Sequence, residues 1–295
     1  MNSKIKEIKS CVKEFNNPKR RVALSKKYPL LKPLIVGVRI FFTKIRNRLF
    51  CKIARKRDKY FKHVTARHQS VLRRKLGDTD LRLQEQKITN LKRASDSLDG
   101  LVINPGETFS FWEAIGKPSY KNGYVDGMLL ASGKIIEGVG GGLCQLSNFL
   151  CWIFLHAETK IIQRHHHSMD VFPDSGRILP FGSGATCLYN FVDLQIKNIG
   201  NTPIQIKIWL TNKHLKGQIM SPKKRRFKFS IQEKNHCFVK NNDQFFRYNE
   251  IFRVRKKEGN VVSEKLLFKN FAPVLYKIPD NYFKKHGFHL LDFSE

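Results

Sequence analysis

The segment Gly138-Val-Gly-Gly-Gly-Leu-Cys-Gln-Leu-Ser-Asn-Phe-Leu-Cys-Trp-Ile-Phe-Leu-His-Ala157 joins a glycine-rich loop to a strongly apolar stretch. Its apolar residues recur in steps of three and four, the spacing of one continuous stripe on a helix. They are Leu143, Leu146, Leu150, Ile153 and Ala157. The glycines permit unusual backbone angles and let a ligand approach the main chain closely. The segment therefore predicts a flexible loop followed by a buried helix.

The sequence around this segment predicts an α+β fold. Residues 1–100 have helical periodicity and few glycines, and residues 81–94 are their clearest helix. Strand patterns occur at residues 134–137, from Lys160, at 185–198 and at 203–210, with short strands or loops over 227–278. We expect a basic helical N-terminal region (1–79), a mixed helix and strand core domain (80–215) and a basic strand and loop extension (216–295). A helix that carries a cysteine, followed by strands, is the chain order of papain-like and transglutaminase-like cores.

The composition bears on partners more than on the fold. The chain has 295 residues, of which 41% are hydrophobic, so it can bury a substantial core and is not disordered throughout. Lys and Arg number 55 against 24 Asp and Glu, which gives a formal net charge of +31. The excess lies in residues 1–100 and 201–295, while residues 101–200 are close to neutral. We expect the chemistry in the neutral centre and an acidic partner for the flanks.

Residues 28–57 interleave apolar and basic side chains in the manner of a basic amphipathic helix. Such a helix can lie on an anionic membrane surface, at about 1 kcal/mol for each basic residue near that surface. The alternative is a solvated helix that covers the core. Nucleic acid is not an expected partner, because no nucleic-acid-binding motif accompanies the charge.

The chain shows no cleavable signal, and its longest apolar stretch is shorter than the roughly 20 residues of a membrane span. We therefore expect a cytoplasmic location, peripheral to the inner face of the membrane. The six cysteines are irregularly spaced and include no CxxC, which indicates a reducing compartment. Of these, Cys151, Cys187 and Cys237 are predicted to be small buried hydrophobic residues. A disulfide between Cys144 and Cys151 is excluded, because seven residues of helix span about 10 Å.

Cys144 is the candidate nucleophile, since it follows Gly140, Gly141 and Gly142 in the first turn of the predicted helix. A helix N-terminus stabilises a thiolate, and its free amides can donate to an oxyanion in acyl transfer. The alternative interpretation of Cys144 is a small buried hydrophobic residue.

A candidate base lies downstream in Arg164-His-His-His-Ser168. If this segment is a strand, His165 and His167 share one face. Asp170, Asp174 and Asp193 are the candidate carboxylates that would orient the base. Two alternatives stay open for the histidines. They could make structural hydrogen bonds, or His165 and His167 could bind a metal together with Cys144. Because there is no second ligand motif, we expect no metal and no cofactor.

A set of polar and glycine residues near these groups is predicted to contact a peptide or another carboxylate-bearing ligand. The set consists of Gly140, Gly141, Gly142, Gln145, Glu107, Arg164, Ser168, Arg177, Ser183 and Thr186. The loop residues among them could instead serve only to close their turns.

Five segments together carry a resemblance to a known family. They are Asn90 to Ile103 continued by Asn104-Pro-Gly-Glu-Thr-Phe-Ser-Phe, then Gly123-Tyr124, Gly140-Gly-Gly-Leu-Cys-Gln, Arg164-His-His-His-Ser and Gly182-Ser-Gly-Ala-Thr. Over roughly residues 80–200 the chain resembles the VanW family, named for an accessory protein of B-type glycopeptide resistance. The resemblance implies a bacterial protein of cell-envelope or vancomycin-resistance biology. Relatives usually carry Asp where this chain has Gly184, and tend to carry Pro where it has His166.

Two functional hypotheses follow. The first is a cysteine-dependent amidase, peptidase or transpeptidase that acts on a peptidoglycan-related peptide. Cys144 would be the nucleophile, His165 or His167 the base, and Asp170 or Asp193 the orienting group. The second is a non-catalytic binding or accessory module at the membrane or cell wall, which holds a ligand carboxylate at the helix N-terminus. A metal-dependent hydrolase ranks third.

Overall fold

A computed structural model describes residues 2–17, 28–73, 81–131, 134–166, 168–171, 178–189, 191–279 and 281–294. The helices are α1 (Asn2–Asn16), α2 (Lys32–Phe50), α3 (Leu81–Leu98), α4 (Phe111–Ile115), α5 (Leu143–Leu155) and α6 (Tyr282–His286). The strands are β1 (His63–Val71), β2 (Val102–Ile103), β3 (Thr108–Ser110), β4 (Asp126–Ala131), β5 (Lys134–Val139), β6 (Thr159–Gln163), β7 (Gln195–Asn198), β8 (Ile204–Leu210), β9 (His214–Ser221), β10 (Lys228–Asn241), β11 (Gln244–Lys257), β12 (Asn260–Pro273) and β13 (Leu290–Asp292). Short 3₁₀ turns lie at Pro29–Leu31 and Tyr120–Asn122. This mixture confirms the predicted α+β class.

Helix α5 is the centre of the main hydrophobic core. The predicted stripe from Leu143 to Ala157 is buried, as expected. The helix also buries side chains outside that stripe, among them Phe149 and Phe154. Phe149 stacks beside His68 of β1, and a Cβ at Gly217 of β9 would lie only 2.8 Å from the Phe149 ring. The absence of a side chain at position 217 lets the helix approach the sheet closely.

Two antiparallel sheets surround α5. One has the strand order β1–β9–β8–β2, and the other has the order β3–β7–β6. In the first sheet Ile206 of β8 lies opposite Ile219 of β9, and both side chains are buried. The hairpin β4–β5 stands apart from both sheets and leads directly into the glycine loop before α5. The sheets thus fix the helix, and the hairpin fixes its first turn.

The C-terminal residues form a separate sheet of order β12–β11–β10–β13. Helix α1 packs on this sheet, where Ile8 and Val12 join the buried residues Val239 and Phe246. The apolar side of this basic N-terminal helix is therefore covered by the C-terminal sheet. None of the helices in the described part of the chain combines the length and apolarity that a membrane crossing needs.

The prediction of short strands or loops over residues 227–278 was wrong. β10, β11 and β12 are each 14 residues long and pair along nearly their whole length. The first seven residues of β12 are exposed. Because that part of the hairpin has little apolar surface to bury, it lacks the alternation by which strands are recognised.

Two further predictions need correction. Residues 63–71 form the strand β1 instead of helix, because the side chains of this segment alternate against the core sheet and Thr65 donates to the carbonyl of Ile219. The amphipathic helix predicted over 28–57 ends at Phe50. The predicted boundary at residue 215 falls within β9, and the division into three regions stays a prediction.

Candidate functional site

The glycine loop before α5 is packed so tightly that side chains are excluded from it. A Cβ at Gly141 would lie 2.0 Å from the carbonyl carbon of Gly127 in β4. A Cβ at Gly142 would lie 2.0 Å from Cγ of Lys87, and Gly142 has a φ of +92° as the residue before α5 begins. Gly141 must be glycine because of the close approach. Gly142 must be glycine because of the close approach and because of its positive φ. The loop is therefore a fixed platform under the first turn of α5.

Asn90 of α3 holds this loop in place, a role that the sequence analysis did not assign. Its side-chain amide nitrogen donates to the carbonyls of Val125 and Gly141, each at 3.0 Å, and its oxygen accepts from the amide of Val125 at 2.9 Å. Asn90 is fully buried. Asn90 lies 51 residues before Gly141 in sequence, so no local pattern indicates this long-range contact.

Cys144 lies in the first turn of α5 with its side chain partly exposed. Its Sγ is 3.7 Å from the hydroxyl of Thr186, 3.7 Å from the carbonyl oxygen of Cys187 and 4.0 Å from Sγ of Cys187. The hydroxyl of Ser147 donates to the carbonyl of Ala185 at 2.6 Å, which holds the segment 185–187 along the helix. The structure therefore brings Cys144 and Thr186 together and adds a second thiol.

Cys187 is buried, as predicted, but it is a polar neighbour of Cys144 as well as a core residue. Its pKa is raised well above the usual range, first by the hydrogen bond with Cys144 and then by burial, with a smaller contribution from the charge of Asp193. Cys187 consequently stays a neutral thiol, and its S–H is available to donate to the sulfur of Cys144. The contact joins residues 43 apart in sequence, so spacing alone could not predict it.

His165 is placed beside Thr186, just beyond the end of β6. Its carbonyl accepts the amide of Thr186 at 2.8 Å, and the two residues form an isolated antiparallel bridge. Directly paired residues carry their side chains on the same face, with Cβ atoms about 5 Å apart. The exposed side chain of His165 thus shares the face on which Thr186 meets Cys144. His167, the other predicted base, lies outside the described residues.

Asp193 is held by groups other than the candidate histidine. One carboxylate oxygen accepts from the Ser110 hydroxyl at 2.6 Å and the Gln195 amide at 3.0 Å, and the other accepts from the amide of Trp112 at 3.2 Å. Burial raises the pKa of Asp193, and these hydrogen bonds counteract part of that rise. The charge of Asp193 also contributes to the raised pKa of Cys187.

Asp170 lies in the joint between the core and the C-terminal sheet. Its carboxylate pairs with Arg247 at 3.3 Å and accepts from the hydroxyl of Tyr276 at 3.5 Å, and both members of the ion pair are buried. The predicted orienting roles of Asp170 and Asp193 stay predictions. Asp174 lies outside the described residues.

The side chains predicted to bind a ligand are mostly engaged with the protein itself. The Gln145 amide donates to Ser70 and to the carbonyl of Val71, which ties α5 to β1. Arg164 donates to the carbonyls of Gly182 and Gly184 and stacks on the ring of Phe268. These contacts give Gln145 and Arg164 a part in holding the site segments.

The other predicted ligand contacts divide into closed turns and exposed groups. Glu107 accepts from the backbone and side chain of Asn104, and Ser183 donates to the carbonyl of Pro180. Ser168 is exposed, and Arg177 lies outside the described residues. Substrate contact by any of these residues stays a prediction. In the described part of the chain no group of three or more His, Cys, Asp or Glu is arranged to hold a metal ion.

Gly184 is in contact with the site helix at Asn148, one turn beyond Cys144. A Cβ at position 184 would lie 2.1 Å from Oδ1 of Asn148. The Asn148 side chain thus occupies the space into which a larger residue at 184 would extend. This is a physical reason for glycine at position 184.

The fold and site define an α+β protein with a partly exposed cysteine at a glycine-lined helix start and a histidine bridged to the neighbouring segment. Residues 86–220 match the family described as VanW like protein. The chain is 33% identical over 204 residues to the vancomycin B-type resistance protein VanW of Enterococcus faecalis, an alignment that covers 68% of this chain and 74% of that relative. The chain belongs to the VanW family, which confirms the resemblance noted in the sequence.

A second relative matches over a shorter region. It is the uncharacterised protein YoaR of Bacillus subtilis, 33% identical over 118 residues, which cover 40% of this chain and 37% of that protein. No solved structure matches the chain. The papain-like or transglutaminase-like layout therefore stays a prediction.

Proposed function

We propose that this chain catalyses acyl transfer on a peptidoglycan-related peptide, with Cys144 as the nucleophile. The observation that carries the proposal is the partly exposed thiol of Cys144 in the first turn of α5, behind three glycines and beside Thr186. The positive end of the helix dipole favours the thiolate and an oxyanion beside it. The amides of Leu143 and Gln145 already donate to the carbonyls of Gly140 and Gly142, so they are not the donors to that oxyanion.

His165 is the proposed general base. It lies on the same face as Thr186, and the Thr186 hydroxyl is 3.7 Å from the nucleophilic sulfur. The protonated Cys187 adds a donor to the same sulfur. An enzyme of this class would attack the peptide carbonyl with the Cys144 sulfur, pass the thiol proton to His165, and release the amine with that proton.

The biological setting follows from the family. A relative covered over 74% of its length is named a vancomycin B-type resistance protein. We therefore propose a role in glycopeptide resistance through cell-wall precursor metabolism. The test is complementation of a strain in which resistance depends on this chain, with Cys144→Ser and with the control Cys51→Ser. Resistance should be lost only with Cys144→Ser. Full resistance with Cys144→Ser at equal protein level would refute the nucleophile.

A second candidate, a non-catalytic binding module, is favoured by one observation: the two candidate carboxylates already hold other partners. Asp170 pairs with Arg247, and Asp193 is bound by Ser110 and Gln195. In this case the start of α5 would hold a ligand carboxylate without reacting with it. Calorimetric titration of Cys144→Ala with a D-alanyl-terminated peptide distinguishes the two. Binding together with wild-type resistance in that variant would favour the module over the enzyme.

For the basic N-terminal region we propose contact with an anionic membrane surface at its cytoplasmic side. Five apolar side chains of α2 recur at helical spacing and are 46–69% exposed. They are Leu34, Val38, Phe41, Phe42 and Leu49. The same helix carries five basic residues and no acidic ones. An exposed apolar stripe on a basic helix fits the interface of anionic lipids better than it fits free solvent.

Vesicle sedimentation tests this contact directly. Vesicles that contain phosphatidylglycerol should bind the chain, and Phe41→Ser with Phe42→Ser should weaken binding at least about tenfold. The matched control is Val261→Ser with Val262→Ser, two exposed apolar residues of β12. Equal binding by both double variants, or equal binding to pure phosphatidylcholine vesicles, would contradict the proposal.

A further inference from the structure

The two thiols at the start of α5 form a pair with an asymmetric environment. Cys144 is partly exposed at the helix N-terminus, whereas Cys187 is buried 4.0 Å away. A disulfide needs about 2.05 Å between the sulfurs, so each must move by about 1 Å. Cys187 lies in a segment outside the strands, between two isolated bridges formed by Thr186 with His165 and by Leu188 with Val192. Such a segment can absorb a displacement of this size more readily than a strand.

We propose that Cys144 and Cys187 are a redox pair in which Cys144 is oxidised by a peroxide and Cys187 resolves the product to a reversible disulfide. In the first step the Cys144 thiolate attacks one peroxide oxygen, the O–O bond breaks, and Cys144 sulfenic acid and hydroxide form. The sulfur loses two electrons and the peroxide gains them. In the second step the Cys187 sulfur attacks the Cys144 sulfur. The S–S bond forms, the S–O bond breaks, and water leaves with the proton of the Cys187 thiol.

The surroundings assign the two roles. The partly exposed thiol at the positive end of the helix meets the oxidant, and the buried thiol lies against the sulfur of Cys144. The hydrogen bond with Cys144 and burial keep Cys187 protonated, which protects it from direct oxidation. Cys151 cannot form the disulfide with Cys144 in place of Cys187. It lies about two turns further along the same helix, and its sulfur contacts the carbonyl of Ser183.

The consequence for activity rests on the proposed function, whereas the pairing itself does not. A disulfide would block the nucleophile reversibly and would prevent its further oxidation to the irreversible sulfinic acid. The site would then be off under peroxide stress and would recover when thiols are restored.

Peptide mass spectrometry of the full-length chain tests the pairing. The native protein is treated with stoichiometric hydrogen peroxide, blocked with N-ethylmaleimide and digested without reductant. The expected product is a linked Cys144–Cys187 peptide pair that dithiothreitol separates, and alkylation of Cys144 should fall at least about tenfold before reduction. Sulfinic acid at Cys144 without the linked pair, or linkage to Cys151, would overturn the proposal.

Two variants and one probe complete the design. Cys187→Ala should convert the reversible product into sulfinic acid at Cys144, and Cys151→Ala should form the same linked pair as the original chain. If Cys187→Ala does not fold, phenylarsine oxide replaces it as a probe, because trivalent arsenic bridges two neighbouring thiols. One arsenical should then protect Cys144 and Cys187 together from alkylation, and protection of one thiol alone would refute the pair. If Cys144→Ser loses resistance but the original chain forms no linked Cys144–Cys187 peptide pair, the redox pair is rejected and the proposed function is retained.

Discussion

Helix α5 carries two cysteines in opposite environments. Cys144 in the first turn is partly exposed and contacts Thr186 and Cys187. Cys151, two turns further on, is fully buried, and its sulfur contacts the carbonyl of Ser183. Burial raises the pKa of Cys151 to about 11, although the charge of Arg164 opposes the rise. The same type of side chain is thus an accessible polar group at position 144 and a core residue at position 151.

The difference between the two cysteines arises from the residues that surround each of them. The first turn begins directly after a loop that packs closely against Gly127 and Lys87, and the Cys144 side chain in that turn stays partly exposed. The later turns are enclosed by the core and by the segment 182–184 that Arg164 holds. A cysteine near the glycine loop is therefore suited to chemistry, and a cysteine two turns away is suited only to packing.

The largest expected loss of stability comes from a substitution in the glycine loop that precedes Cys144. Gly141→Ala would place a Cβ 2.0 Å from the Gly127 backbone and should lower the free energy of unfolding by about 3 kcal/mol or more. The control is Gly106→Ala, where φ is +79° and the space is open. Backbone strain alone should cost it about 1 to 2 kcal/mol. Urea denaturation measures both values, and equal losses would contradict the close approach at Gly141.

The next largest effect is the loss of stability at alkaline pH that is caused by the buried thiol of Cys151. The pKa of Cys151 is about 11 in the folded chain, compared with about 8.5 in an unfolded one. A raised folded pKa contributes stability that is complete below about pH 8.5 and is lost as the pH rises toward 11. The stability advantage of the original chain over Cys151→Ala should therefore shrink by about 3 kcal/mol across that window. Urea denaturation with a phosphine reductant measures it.

The matched control for this pH dependence is Ile153→Val, a buried change on the same helix without a titrating group. Its stability difference, about 1 kcal/mol, should stay constant with pH. A constant difference for Cys151→Ala as well would show that the Cys151 thiol titrates alike in the folded and unfolded chains. That result would contradict the contrast between the environments of Cys144 and Cys151.

A smaller effect is expected at the contact that aligns Cys187 with the helix. Ser147→Ala removes the hydrogen bond to the buried carbonyl of Ala185 and should cost about 1 to 2 kcal/mol. Ser97→Ala is the control, since that exposed hydroxyl donates only within its own helix and its loss should cost under about 0.5 kcal/mol. Ser147→Ala should also reduce disulfide formation between Cys144 and Cys187. Unchanged formation would show that the alignment has another cause.

The sequence predicted those parts of the site that depend on local pattern. The apolar stripe of α5 and the position of Cys144 at the helix start follow from spacing, and the structure has them where expected. The glycine loop, predicted as flexible from Gly138, begins only at Gly140 and is closely packed, because Gly138 and Val139 end the strand β5. The bridge between His165 and Thr186 and the contact of Cys187 with Cys144 could not be predicted, because they join segments through the fold.

The errors in the fold have the same origin. The strand β1 and the long strands β10 to β12 contain many polar and basic residues, and much of their length is exposed. Their strand character is fixed by pairing with partners distant in sequence, which periodicity within one segment does not reveal. The described part of α2 shows the reverse case, because the helix was predicted and the structure has it with several exposed apolar side chains.

The pH dependence of alkylation at each cysteine of the native chain tests the central claim most directly. Iodoacetamide is applied between pH 5 and 9 with a phosphine reductant, and mass spectrometry gives the rate at Cys144 and at Cys151 in the same sample. Cys144 should react at least about 100-fold faster than Cys151, with a rate that levels off at a lower pH than that of a free thiol. Cys144 as inert as Cys151 at every pH would contradict the account and would leave the binding module as the better explanation.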